Sequence, residues 1–163
     1  MRRTLTAAVA LLAVAAIFVT VAAGGTGSTR QRVSIDITGA DPFGYQLVRG
    51  RDGRNRTDAG SATFCCWDSW NITRAGAKVE VTNPRITLTS EGGRGQSALT
   101  IRERIEWTPL SDGWSVFKGT WKVVGSSGGY RGFKGHGLVA GTWAPETDPD
   151  RMLRLRLTGF LNR

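Results

Sequence analysis

Histidine occurs once in this chain of 163 residues, cysteine twice and proline five times. A single histidine, His136 between Gly135 and Gly137, leaves a Ser–His–acid triad only one place to find its base. Two cysteines in adjacent positions, Cys65 and Cys66, supply neither a disulfide framework nor the spaced ligands of a structural zinc site, so no metal is expected. Gly92-Gly93-Arg94-Gly95 lacks the Lys-Ser/Thr of a phosphate-binding loop, and no other cofactor motif is present, so no cofactor is expected. Gly125-Ser126-Ser127-Gly128-Gly129 spells G-x-S-x-G, but a nucleophile elbow needs a helix after its serine. Tyr130-Arg131-Gly132 reads instead as the start of another strand. Helix formers are scarce beyond the N-terminus. Glycine, at 22 residues, stands with Thr, Val, Trp and Arg in a composition that favours strands and tight turns. The length suits one domain with a real core.

Adjacent cysteines pose a geometric problem. Neighbouring Cα atoms lie about 3.8 Å apart across a trans peptide, whereas ordinary disulfides span roughly 4.4–6.8 Å. Cys65 and Cys66 therefore form a strained vicinal disulfide ring, bridge to other molecules, or stay reduced as partly buried thiols, the reading favoured here.

The N-terminus is of another character. Met1-Arg2-Arg3 is a short positive stretch, and Leu5 to Ala23 is apolar except for Thr6 and Thr20. Val21-Ala22-Ala23 offers small residues to a signal peptidase. Residues 1–23 read as a signal peptide, and the chain as secreted or extracytoplasmic. The same run is long enough to span a bilayer, so a membrane anchor through residues 5–23 is the alternative, and the only route to a membrane. Residues 24–31 read as a flexible linker and 32–163 as the folded domain.

Net charge is +9, and +7 without the first 23 residues, which carry Arg2 and Arg3 and no acid. The basic residues are scattered. Their densest cluster, Arg49, Arg51, Arg54 and Arg56, sits among glycines in an expected loop. With no nucleic-acid fold motif beside it, this is a solvated basic surface, and no specific nucleic-acid binding is expected.

The domain alternates. Val33, Ile35 and Ile37 share one face of a strand over 32–38. Further strands are expected over 45–49, within 62–70, over 77–82 and 85–90 (parted by Asn83-Pro84), and over 99–107, 114–124, 132–142 and 152–160. Residues 50–60 read as a loop. Eight or nine strands with turn-rich links make an all-β domain, a barrel or a sandwich.

The stretch from Gly119 to Gly137, GTWKVVGSSGGYRGFKGHG, resembles the strand–glycine turn–aromatic–glycine–strand signature of the allene oxide cyclase and dirigent barrels and their bacterial secreted relatives. There the glycines let strands bend, and the aromatic packs over exposed backbone. The resemblance implies a closed antiparallel barrel of about eight strands around an apolar cavity. It implies no activity, because the matched residues are structural.

Glu103 stands out. Leu99, Ile101, Ile105 and Trp107 share the apolar face of the strand over 99–107, and Glu103 falls on that face too. A carboxyl in a closed cavity has a raised pKa and can act as acid, base or ligand anchor; a β-bulge, a register slip or a partner arginine are the plainer readings. Trp67, Trp70, Trp107 and Trp121 are candidates to line such a cavity, or to pack the core. The expected function is a non-enzymatic module that binds a small apolar ligand or a partner. The alternative is a cyclase- or isomerase-like enzyme for a small hydrophobic substrate. Its catalytic residues and oligomeric state are not legible.

Overall fold

The computed structural model describes residues 30–51, 54–92, 96–145 and 152–163. The export segment expected over 1–23 and the linker up to residue 29 lie outside the described residues. Ten strands follow: β1 (Gln31–Gly39), β2 (Phe43–Arg51), β3 (Arg54–Cys65), β4 (Ser69–Arg74), β5 (Ala77–Thr82), β6 (Arg85–Ser90), β7 (Ala98–Pro109), β8 (Ser115–Ser126), β9 (Lys134–Trp143) and β10 (Leu153–Asn162). Gly128–Tyr130 form a single 3-10 turn between β8 and β9. No α-helix occurs among the described residues, and none is long and apolar enough to cross a membrane.

Eight strands close an antiparallel barrel in the order β7-β6-β3-β2-β1-β10-β9-β8, with β8 pairing back to β7. Alternation drives the closure. Val33, Ile35 and Ile37 of β1, Leu153, Leu155 and Leu157 of β10, and Leu99, Ile101 and Ile105 of β7 all turn inward and are buried. On the remaining two strands, β4 and β5 form a hairpin that projects past the barrel end. It is attached to β7 through Val81↔Glu106 and Thr82↔Ile105.

That hairpin is a continuation of the β3–β6 pair after a shared break. β3 leaves its ladder at Cys66, which has φ 55. β6 is parted from β5 by Asn83-Pro84, where proline cannot donate to a ladder. The two breaks clasp each other: the Asp68 amide donates to Asn83 Oδ1 at 2.8 Å, and the Asn83 amide to the Asp68 carbonyl at 3.3 Å. At the hairpin tip Ala75 and Gly76 both have positive φ, 48° and 83°, the backbone of a type I′ turn. Outside, Arg74 pairs with Glu106 at 2.6 Å, and the Arg104 guanidinium lies 5.8 Å from the Trp70 ring.

One expectation needs correction. Residues 50–60 are not a loop: β2 runs to Arg51 and β3 starts at Arg54, so Arg49 faces Arg56 and Arg51 faces Arg54 across a hairpin. The strand expected within 62–70 is the end of β3, which the break at Cys66 separates from β4.

The end of the barrel where Gln31 pairs with Leu161 is filled. Asp58 accepts hydrogen bonds there from Tyr45 (3.0 Å), from Ser90 (2.7 Å), and from Tyr130 in a short contact. Burial works to raise the Asp58 carboxyl, but the hydroxyls of Tyr130, Ser90 and Tyr45 and the Ala59 amide outweigh it and hold the group below its ordinary value. The phenols of Tyr45 and Tyr130 are pushed up, first by burial and then by Asp58. Phe133 packs edge-on against Tyr130, and Arg49 lies 5.0 Å from the Phe133 ring.

Candidate functional site

The opposite end is hollow. A cavity of about 780 Å³ opens between β1–β2, the β3–β4 and β5–β6 breaks, β7, β8, and the facing ends of β9 and β10. Its walls are aromatic. Phe43 and Phe64 meet edge to face at 4.9 Å, Trp107 and Phe117 are tilted at 4.7 Å, and Trp143 stands 6.5 Å from Phe43. Trp107 is fixed by its indole N–H, which donates to Thr82 Oγ1 at 2.8 Å. Trp67 stands at the rim, 60% exposed.

Glu103 lies in the wall of this cavity, 2% exposed. Its place follows from the strand pattern: two residues after Ile101 and two before Ile105, it has to face inward. Its neighbours across the ladder offer its carboxylate nothing. On β8 it faces Trp121, and on the other side its amide donates to the Pro84 carbonyl at 3.0 Å. Oε1 has no hydrogen-bond partner among the described residues. Burial alone pushes the carboxyl up to about 8, so at neutral pH it is largely protonated. No arginine among the described residues lines the cavity.

Trp121 does not line the cavity. It is 2% exposed, and its indole N–H donates to the Thr158 carbonyl at 3.0 Å. Gly137 makes room for it: a Cβ there would lie 2.7 Å from Trp121 Nε1. Trp121 is therefore core, and it fills the interior beneath Glu103. Trp70 is on the outer face of the hairpin, under Arg104. Of the four tryptophans singled out in the sequence, Trp67 and Trp107 meet at the cavity with Glu103. Trp143, Glu80, Asp41 and Thr82 join them unforeseen. They come from a hairpin and from strand ends that only barrel closure brings together.

Cys65 and Cys66 are free thiols, not a vicinal ring; Cys65 is half-buried, and Cys66 is exposed rather than partly buried. Leaving them unjoined avoids the strain of the ring. The Cys65 thiol is raised, first by its hydrogen bond with Cys66, against the pull of Arg85. His136 is exposed on β9, and Ser127 precedes a single 3-10 turn rather than a helix, so neither completes a hydrolase site. No group of three or more metal-ligating side chains occurs among the described residues.

No family model, no curated protein and no solved structure matches the chain.

Proposed function

We propose that this chain is an exported barrel that binds one small, largely apolar molecule in its open end, with Glu103 as the polar anchor. The observation that carries this reading is a buried carboxyl with an unused oxygen in the wall of an aromatic cavity. A polar group that is buried and unsatisfied destabilises a fold unless something else engages it, and cavities of this size and lining are what small-molecule sites look like. The export half of the proposal is supported by Met1-Arg2-Arg3 and the apolar run from Leu5 to Ala23. The likeness of residues 119–137 to the allene oxide cyclase and dirigent signature supports a cavity-bearing barrel.

Native mass spectrometry of the purified domain, followed by titration with the apolar probe N-phenyl-1-naphthylamine, tests the reading. One molecule bound per chain, together with shielding of tryptophan from acrylamide, is the expected result, since Trp67 stands at the rim. Linear, unsaturable uptake would refute it.

A second reading, cyclase- or isomerase-like chemistry, is favoured by one observation. A carboxyl held protonated at neutral pH shares the cavity with the buried Thr82, and a positioned acid is what such a reaction needs. Turnover would then fall as pH rises past about 8 and vanish in Glu103→Gln.

A further inference from the structure

Among the described residues three carboxyl groups line the cavity, Asp41, Glu80 and Glu103, and no lysine, arginine or histidine does. In a chain of net charge +9, with 22 basic residues against 13 acidic, that is the reverse of what the composition supplies. The basic residues nearest the wall face elsewhere. Arg102 and Arg104 alternate with the inward residues of β7 and point outward, and Lys118 and Lys122 do the same on β8. Arg85 lies opposite Arg102, on the outer face. Inside the barrel the other titratable groups, Asp58, Tyr45 and Tyr130, are bonded to one another at the far end, with Arg49 near Tyr130.

Resting on the ligand-binding reading above, we propose that the molecule taken into this cavity is a lipophilic organic cation, an apolar body with an ammonium head, and that the head is seated against Glu103. Three features of the cavity match that chemistry. The π-faces of Trp67, Trp107 and Trp143 attract a cation, tryptophan most strongly of the aromatic side chains. Asp41 and Glu80 at the mouth draw positive charge from solvent and turn away anions. Glu103 at the wall is buried without a counter-ion, and an ammonium group supplies one. A neutral guest would leave the carboxylates at the mouth and wall without a counter-ion.

Seating the cation requires Glu103 as carboxylate. In the free protein burial holds its proton up to about pH 8. Binding below that pH therefore expels one proton from Glu103 to solvent, and affinity rises with pH until Glu103 is already ionised.

The test pairs decyltrimethylammonium, whose charge does not titrate, with 1-decanol, both below aggregation. Calorimetry is run at pH 6, 7 and 9 in two buffers of different ionisation enthalpy. At pH 7 the ammonium is expected to bind at least about tenfold tighter than the alcohol. Up to one proton should be released at pH 6 and almost none at pH 9. In Glu103→Gln the ammonium's advantage over the alcohol should be lost. Should that variant fail to fold, the proton count in the unaltered protein decides alone. Equal or tighter binding of the alcohol to the unaltered protein, or no proton release at pH 6, overturns the cation proposal and leaves the apolar-ligand reading standing. Failure of both probes to bind overturns both.

Discussion

Glu103 and Asp58 are two inward carboxyls at opposite ends of one barrel, and their surroundings push them in opposite directions. Asp58 has three hydroxyl donors and an amide; Glu103 has an unpartnered oxygen. The difference is measurable as stability. Glu103 has its folded value raised from 4.5 to about 8. The folded protein therefore keeps a proton that the unfolded chain releases across that range. The stabilising contribution is fully present below pH 4.5 and is lost as pH rises through about 8. Its full amplitude is roughly 5 kcal/mol. Thermal melts from pH 4 to 9 should show this decline in the unaltered protein and a flatter profile in Glu103→Gln. The amide should cost little at pH 5, because no buried arginine is left behind. A loss of several kcal/mol at every pH would instead reveal a cationic partner for Glu103.

At the scale of elements, the closure of β8 against β9 and β10 depends on a missing side chain. A Cβ at Gly137 would lie 1.9 Å from the Thr158 carbonyl oxygen, which belongs to the backbone and cannot swing away. Gly137→Ala should lower stability by roughly 2–4 kcal/mol. Gly44→Ala, where nothing lies within 4 Å, should stay within about 0.5 kcal/mol; urea titration of the pair checks both. Much of this fold was legible in the sequence. The bounds of β5 and β6 follow from Asn83-Pro84, and the inward set of β7 follows from its alternation. The start of β3 was not legible, because its inward positions are Asp58, Gly60 and Ala62, and a ladder needs no apolar side chain to form. For the cavity, period-two alternation said correctly that Glu103 and Trp121 face inward. It says nothing about where along the axis a long side chain comes to rest. Trp121 rests in the packed interior, whereas Trp107 rests in the cavity wall.

For the whole molecule, closure separates charge along the axis. Arg49, Arg51, Arg54 and Arg56 gather at the filled end, while Asp41, Glu80 and Glu103 gather at the hollow one. Composition records only the sum, +9. The export proposal makes its prediction at this scale. Secreted material should begin near Gly24 on N-terminal sequencing, whereas recovery of Leu5 to Ala23 in a membrane fraction would establish the anchored form.

Both described chain ends, Arg30 before β1 and Arg163 after β10, leave from the filled end, because Gln31 pairs with Leu161 there. The molecule is thus built like a cup held by its base. A tether at Arg30 or Arg163, whether a bead or a sensor chip, sits a barrel's length from the opening and leaves it facing the bulk liquid, free to fill and empty.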